Sequence, residues 1–452
     1  MSTRQGMLPW LIAAALTVAR VPTASAGQTM SPEEHAAHMS QADHDVLHGP
    51  DSPVNGSGTA WLPASTTMEG VHLPAGAWTV MLHGQAFGQL VVESGEEHRR
   101  GTQAGSINWF MAMAERDAGG GQLQLRGMAS LEPWTIRGCG YPNLLATGEI
   151  CKGDDIHDRQ HQHDLVMELS ARYERPLTGS VRWHLYGGPA GEPALGPVAF
   201  QHRLAASWNP IAPITHHWLD SSHITYGVVT AGLSGGRWNA EGSVFNGREP
   251  DQRRTDFDFG ALDSFAGRLS LAPTPNMVFQ VSGGRLRDAE QGAGSIPPTS
   301  VSRGTASLLY NRPLSGGAVL AASVMYGVNA EDAIPIEGVP AQTTHAVLSE
   351  VALASANHVL FGRGEVVGKP AHDLHIGESP ADVFTVGKLE AGVVRHMWQG
   401  GGARVSVGGM VMASVVPDAL APRYGGHVAP GFSVFLSLTP ASSSEHAGHT
   451  GH

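Results

Sequence analysis

The chain has 452 residues, 41% of them hydrophobic, and a formal net charge of −12 with histidine counted as neutral. This length allows two or three ordinary domains or one large barrel. The acidic balance argues against nucleic acid as a partner, because a phosphate-binding face needs clustered lysine and arginine.

The first segment of the chain has the pattern of an export signal. An apolar run from Met7 to Ala19 follows Arg4 and is succeeded by the small residues Ala24-Ser25-Ala26. This order predicts a secretory signal peptide over residues 1–26. No later stretch supplies the roughly 18 uninterrupted apolar residues that a membrane helix needs, so we expect no transmembrane helix in the mature chain.

Residues 27–74 are polar, contain proline and glycine throughout and show little periodicity, which predicts a flexible periplasmic leader. Residues 441–452 form a second short tract that predicts a flexible tail. Both tracts contain imidazoles, and the leader adds thioethers and carboxylates; such side chains suit copper, and imidazole also suits zinc or nickel. The alternative is a solvated acidic linker. The histidines of these tracts are His35, His38, His44 and His48 in the leader and His446, His449 and His452 in the tail.

Apolar and polar residues alternate along the chain between residues 75 and 440. In the stretch GQLQLRGMASLE, Leu123 and Leu125 face one way while Gln124 and Arg126 face the other. Such strands belong either to a soluble sandwich or to a membrane barrel with an apolar outer face and a polar lumen.

The connections between these strands favour the barrel. Short turns such as DAGGG, RPLTGS, LSGGR and WQGGG alternate without a break with longer polar connections. Outer-membrane barrels have short periplasmic turns and long outward loops. We therefore predict an all-β protein, a single antiparallel transmembrane β-barrel of about 16 strands over residues 75–440. The prediction places it in the outer membrane of a Gram-negative cell with both termini periplasmic, and its partners are the lipid bilayer and the barrel-assembly machinery.

The two cysteines, Cys139 and Cys151, lie in one segment, GCGYPNLLATGEIC. In an oxidising compartment this spacing predicts a disulfide that closes a short loop. A zinc or redox motif is disfavoured because the spacing is not CxxC.

Two long connections carry clusters of ionisable side chains. One contains DRQHQHD and the other contains THHWLDSSH, and both flank the fourth and fifth predicted strands, so they are expected to fold towards one mouth of the barrel. Imidazoles oriented by carboxylates are typical of transition-metal sites. A hydrogen-bonded network that only holds a constriction in place is the alternative. The candidate metal ligands here are His161, His163, His202, His216, His217 and His223.

Charged residues on the polar faces of the predicted strands are expected to line the lumen, where they either select solutes by charge or close it with ion pairs. His216, Asp220, Ser221 and Ser222 contain the ingredients of a hydrolase triad, but triads are recognised by geometry, and we expect no enzymatic activity. The predicted lumen-lining residues are Arg126, Glu132, Glu168, Arg172, Glu174, Glu241 and Arg268.

Several long stretches resemble a family of largely uncharacterised Gram-negative outer-membrane proteins, namely DRQHQHDLVMELSARYE, NPIAPITHHWLDSSHITYGVVTAG and EGSVFNGREPDQRRTDFDFGALDSFAGRLSLAPTPN. The resemblance covers the chain from about Trp61 to Leu438. It implies an outer-membrane barrel, and members of that family are often encoded near heavy-metal efflux or copper-handling genes.

The leading hypothesis from the sequence is a non-enzymatic outer-membrane barrel for copper or other heavy-metal binding, sequestration or passage. In it, the terminal tracts collect metal ions and the histidine-bearing connections form a constriction. A general diffusion pore or small-solute channel with structural histidines is the main alternative, and an outer-membrane hydrolase is the third.

Overall fold

The computed structural model describes residues 51–96, 98–290, 298–376, 379 and 381–441. Sixteen antiparallel strands of eight or more residues form a closed barrel. The strands are β1 (Trp78–Glu93), β2 (Gly101–Ala118), β3 (Gly121–Ala129), β4 (Val166–Thr178), β5 (Val181–Ala190), β6 (Val228–Gly235), β7 (Trp238–Phe245), β8 (Ser264–Thr274), β9 (Met277–Glu290), β10 (Thr299–Pro313), β11 (Val319–Glu331), β12 (Gln342–Ala354), β13 (His358–Pro370), β14 (Val383–Gly400), β15 (Ala403–Val415) and β16 (Val428–Pro440).

The barrel closes where the last strand pairs with the first. Along this seam Gly431 is opposite Glu93 and Leu438 is opposite Ala86. A five-residue strand, Val71–Ala75, pairs with the remaining part of β1. Closure leaves no long unpaired edge, which is what a strand-based membrane protein requires. The predicted all-β barrel with an even number of strands near 16 is confirmed.

The outer face of the barrel is apolar and the inner face is polar. On β8, Phe265, Leu269 and Leu271 point outwards and are 59%, 57% and 57% exposed, whereas Arg268 between them is 2% exposed. Exposed leucine, valine and phenylalanine side chains recur on every side of the barrel. An apolar exterior of this extent is typical of a surface that contacts lipid. Among the described residues no helix is long and apolar enough to cross a membrane.

The connections alternate between short and long, as predicted. The short ones define the short-turn end of the barrel and the long ones define the long-loop end. Ala441 donates its backbone N–H to the oxygen of Gly402 at 3.0 Å, so the last strand finishes at the short-turn end, where β1 also begins. The short connections are residues 119–120, 179–180, 236–237, 275–276, 314–318, 355–357 and 401–402, and the long ones are residues 94–100, 130–165, 191–227, 246–263, 291–298, 332–341, 371–382 and 416–427.

Part of the expected flexible leader is instead folded inside the barrel. A small hairpin, Val54–Asn55 paired with Trp61–Leu62, has its tip buried in the lumen. Arg126 donates to the oxygen of Gly58 at 2.8 Å, and Arg268 donates to Thr59 Oγ1 at 2.9 Å. The hairpin is too short to show periodicity, and its order comes from lumen arginines distant in sequence. The predicted signal peptide, the leader up to residue 50 and the tail from residue 442 lie outside the described residues.

The connection at 191–227 also lies within the lumen, and most of its residues are buried. Arg203 anchors it to the wall: its Nε is 2.9 Å from Glu350 on β12, and its Nη1 is 2.6 Å from Asp220 in the same connection. All three side chains are buried. A buried charge network of this kind makes breaking one partner costly, so the connection is held firmly in the barrel.

Candidate functional site

The candidate site forms where the connections at 130–165 and 191–227 pack against each other. In the first, Tyr141–Cys151 and Asp154–Gln160 pair as an antiparallel hairpin. The Tyr141 hydroxyl accepts a hydrogen bond from the Ala212 N–H at 2.9 Å, which docks the hairpin on the second connection. The predicted disulfide is present: Cys139 and Cys151 are bonded, with their Cα atoms 5.7 Å apart.

Five imidazoles from these two connections converge inside the barrel mouth; we call His161, His163, His216, His217 and His223 the histidine cluster. Four of them are buried and His223 is partly buried. Neighbouring ring centroids lie 5.0 Å apart for His216 and His223, 5.4 Å for His216 and His217, 5.5 Å for His163 and His223, and 6.1 Å for His161 and His217.

Each ring of the cluster is oriented through its Nδ1 atom. Carboxylate oxygens contact three of these Nδ1 atoms and backbone oxygens contact the other two. In each ring Nε2 is therefore the nitrogen that the anchoring contact does not use. Metal-binding histidines are commonly oriented in this way, by a carboxylate or carbonyl on the nitrogen that does not face the ion. The Nδ1 partners are Glu132 Oε1 for His163 (2.9 Å), Asp220 Oδ1 for His216 (2.8 Å), Glu249 Oε1 for His217 (2.9 Å), the Asp220 oxygen for His223 (2.8 Å) and the Gln162 oxygen for His161 (3.1 Å).

The Nε2 atoms meet different surroundings. The Gln201 amide lies 2.8 Å from His163 Nε2 and 3.3 Å from His223 Nε2. His161 Nε2 is 3.2 Å from Glu149 Oε1. The His217 Nε2 atom is buried without a hydrogen-bond partner. The His217 ring packs on Gly148, whose φ of 107° and lack of a side chain permit the contact, because a Cβ there would lie 2.4 Å from the ring.

Burial sets the charge state of most of the cluster. It lowers the pKa of His161, His216 and His223, and neighbouring imidazoles add to the effect at each. Arg254 lowers the pKa of His161 further, whereas Asp220 partly opposes the lowering at His216 and His223. His163 is the exception: burial opposes its charged form, but Glu132 outweighs burial and raises the pKa of His163. Neutral imidazole is the form that binds metal ions, so most of the cluster is in a ligating state near neutral pH.

The cluster does not form a compact three-ligand group. Among the described residues, only Asp251, Asp256 and Asp258 bring three such ligand atoms within 4.8 Å of one another, and Arg253 already pairs with two of these carboxylates. The histidines of the cluster therefore do not meet at one point in this structure, and their assignment as metal ligands stays a prediction. The physical reason is that separate Nδ1 anchors aim the rings in different directions, with the Gln201 amide between two of them.

His202 lies apart from the cluster, and its assignment as a metal ligand stays a prediction. It ends a short 3-10 helix, Phe200–His202, and packs against Trp109 at 4.8 Å and His83 at 6.2 Å between ring centroids. Gln201, one position earlier, faces the cluster. His35, His38, His44 and His48 lie outside the described residues.

The predicted lumen-lining residues are all buried inside the barrel. Arg268 donates to Glu241 at 2.8 Å, Arg172 pairs with Glu174, and Arg126 lies 3.8 Å from Glu168. Glu132 is a correction, because it lies in a four-residue helix of the connection, Glu132–Thr135, and not on a strand. In the sequence, Glu132 continues the alternation of polar residues along β3, but that strand ends at Ala129.

The hydrolase ingredients are not arranged as a triad. Ser221 Oγ accepts a hydrogen bond from Arg303 at 2.8 Å, and the Ser222 hydroxyl is buried without a partner. The Asp220 carboxylate orients His216 but is shared with Arg203.

Sequence reasoning missed Glu149, Gln201 and Glu249 as members of the site. Gln201 had no signal beyond its position next to His202. These residues come from three different connections, so no local pattern could have joined them.

No protein-family model matches the chain, and no curated protein matches it. The fold is similar to the anion-selective porin from Comamonas acidovorans, with 12% identity and a TM-score of 0.49 over 80% of this chain and 99% of that one. Salmonella typhi OmpF, solved in complex with daunomycin, has 9% identity and a TM-score of 0.47 over 81% and 100%. The outer-membrane channel DcaP of Acinetobacter baumannii has 7% identity and a TM-score of 0.44 over 81% and 98%. The expected gene context near copper-handling genes stays a prediction.

Proposed function

We propose that this protein is an outer-membrane channel that passes small solutes through a constricted, charged lumen, with both ends of the barrel chain in the periplasm. The observation that carries the proposal is the combination of an apolar exterior with a lumen that holds the connection at 191–227. In large barrels, inward-folded loops set which solutes pass. Insertion would depend on the barrel-assembly machinery and the lipid bilayer as partners.

Planar bilayers test the channel directly. We expect purified protein to give discrete conductance steps, and we expect Arg203→Met to enlarge them because it releases the 191–227 connection from Glu350. A matched control is Arg253→Met, since Arg253 is exposed in another connection. A wild-type protein that inserts but never conducts would contradict the proposal.

A second candidate function, binding and passage of copper or another transition metal, is favoured by the histidine cluster. Five mostly neutral imidazoles with anchored Nδ1 atoms form a donor set that suits copper, zinc or nickel. Small rotations about the side-chain bonds would be needed to bring three Nε2 atoms onto one ion. A zinc or copper titration of wild type against the double variant His216→Gln/His217→Gln tests it. Equal metal binding by wild type and the double variant would show that the histidine cluster is not the metal site.

The terminal tracts would act as collectors of metal ions in this second function. Their test is removal of residues 27–50 and 442–452, which spares the folded hairpin at residues 54–62. Loss of several copper equivalents with unchanged conductance supports the collector role. Unchanged copper stoichiometry contradicts it.

A further inference from the structure

A cavity of ≈ 310 Å³ lies inside the barrel at its short-turn end. Ser355 and Ala356 of a short turn and Pro440 at the end of β16 form part of its wall, which places it at that end. Its wall shares Gln201 with the histidine cluster, but His83, His202 and Met68 are not part of that cluster. The side chains of its inner wall that matter here are Met68, His83, Trp109, His202 and Trp208.

Two imidazoles face each other across this cavity. The ring centroids of His83 and His202 are 6.2 Å apart, and each lies 4.8 Å from Trp109. Two imidazoles that share an ion at about 2 Å from each nitrogen have ring centroids roughly 6 Å apart. His83 Nδ1 is held by the Glu69 oxygen at 2.6 Å, so Nε2 remains as its ligand atom.

The adjoining wall of the lumen is rich in thioethers. Met68 lines the cavity itself. Behind it, the inward faces of β1, β2 and β3 pair Met81 with Met113 and Met111 with Met128, and all four side chains are buried. Thioether sulfur is a soft, polarisable ligand that selects copper(I) over harder ions.

The charge of the cavity wall favours a cation of low charge. Besides Glu69 and Arg404, its wall carries imidazole, thioether, indole, amide and hydroxyl groups. The nearby carboxylate, Glu69, is already paired with Arg404 at 2.7 Å. A buried dication without carboxylate ligands would be poorly compensated, whereas a soft monovalent ion loses less hydration.

Two polar atoms of the wall are also left without partners. Trp208 Nε1 and Gln201 Oε1 are buried, and neither has a hydrogen-bond partner. Buried polar groups are nearly always satisfied, so such a pair at one cavity indicates that water or a ligand completes it. Gln201 also contacts the histidine cluster through its Nε2 atom, so the cavity and the cluster share one side chain.

We propose that this cavity is a second metal site, which takes a soft monovalent cation of the copper(I) class through His83 Nε2, the His202 ring and the Met68 sulfur, with Trp109 alongside. The proposal deepens the metal role given above and rests on it. The site lies on the short-turn side of the histidine cluster, so an ion that leaves it towards the long-loop end meets Gln201 and then His163 or His223.

Silver(I), supplied as the nitrate, is a redox-inert probe for this site. Full-length protein in detergent is dialysed against silver, and bound silver per chain is measured for wild type, Met68→Leu, His83→Gln and the control His427→Gln. Met68→Leu conserves volume, and His427 is an exposed histidine at the long-loop end. We expect Met68→Leu and His83→Gln each to lose one equivalent or to bind it at least tenfold more weakly, and the control to match wild type.

Migration of unheated samples in gels confirms that each variant is a folded barrel. Folded Met68→Leu and His83→Gln proteins that bind as much silver as wild type, and as tightly, would overturn the proposal. Zinc(II) binding should not respond to Met68→Leu, and an equal loss of zinc would overturn the assignment to a soft monovalent ion. Conductance of the same samples distinguishes the two proposals. A wild-type protein without conductance would contradict the channel function, whereas the silver measurement tests only this metal site.

Discussion

The side-chain amide of Gln201 lies 2.8 Å from Nε2 of His163, the ring whose Nδ1 is held by Glu132. In its neutral form His163 accepts a hydrogen bond from this amide. Gln201 thereby occupies the lone pair that a metal ion would need, and it does the same to His223 at 3.3 Å. The Gln201 amide therefore competes with a metal ion for these two nitrogen atoms.

Replacement of this amide should strengthen metal binding. In Gln201→Leu the Nε2 atoms of His163 and His223 are freed, and a hydrogen bond worth about 1 kcal/mol no longer competes with the ion. We expect zinc affinity to rise by roughly tenfold or less. Calorimetric titration measures it, with Gln252→Leu, an exposed amide in another connection, as control. Weaker zinc binding in Gln201→Leu than in the control would show that the amide does not compete.

Loss of the Arg203 guanidinium should lower the stability of the folded barrel as well as widen the open part of its lumen. Arg203→Met leaves the carboxylates of Asp220 and Glu350 buried with one partner fewer, a change that costs about 3–5 kcal/mol. Urea unfolding in detergent, followed by tryptophan fluorescence, measures it. The exposed Arg253→Met should change the unfolding free energy by less than about 0.5 kcal/mol. Equal effects of the two substitutions would mean that the 191–227 connection is not anchored by charge.

Glu192 should make stability depend on pH. Burial, opposed in part by Arg268, raises the pKa of Glu192 from its ordinary 4.5 to about 8. Between these two pH values the folded state therefore binds more protons than the unfolded state. The contribution of the Glu192 carboxyl to the free energy of unfolding is fully present below pH 4.5 and is lost as pH rises through 8. Glu192→Gln should be more stable than wild type at pH 9 by about 2–4 kcal/mol and equal to it at pH 4.

Urea unfolding of both proteins at pH 4 and pH 9 checks this expectation. The exposed Asp418→Asn serves as the control and should show no such difference between the two pH values. A Glu192→Gln variant that gains nothing at pH 9 would indicate that the carboxyl is ionised at little cost in the folded protein.

A cation on the outer face should oppose insertion into lipid. Leu269 points outwards near the middle of β8 and is 57% exposed. Leu269→Arg should cost about 2–4 kcal/mol if the position lies near the bilayer midplane. Folding into phospholipid vesicles across a urea series measures this cost, and Asp418→Arg, at an exposed position in the 416–427 connection, provides the comparison. Insertion unaffected by Leu269→Arg, or a chain that stays folded in water without detergent, would contradict the membrane placement.

The disulfide should stabilise the hairpin that carries part of the site. Cys139 and Cys151 are 12 residues apart in sequence, and a loop of that size corresponds to about 3 kcal/mol in the chain-entropy account. Cys139→Ser/Cys151→Ser should therefore open locally and become sensitive to protease between these positions, while the barrel remains folded. An unchanged cleavage rate would mean that packing of Tyr141 against Ala212 suffices to hold the hairpin.

The sequence by itself determined the barrel. The period-two alternation around Leu125 and Arg126 is a local property of each strand, and the order of short and long connections is a local property of the chain between strands. Together they predicted a closed barrel with an even number of strands near 16, its apolar outer face and its two ends. The disulfide followed from spacing and compartment, because two cysteines in one short segment have no other partner in the chain.

Only the tertiary structure decided which side chains form the site. His161 and His217 come from different connections, and Glu249 comes from a third; their meeting depends on how those connections fold back into the lumen. The same long-range packing places His202 against His83 and Trp109, and it places the hairpin around Gly58 inside the barrel. Such contacts depend on the closed barrel and on which buried charges find partners in it, and these are relationships between distant residues that no local pattern carries.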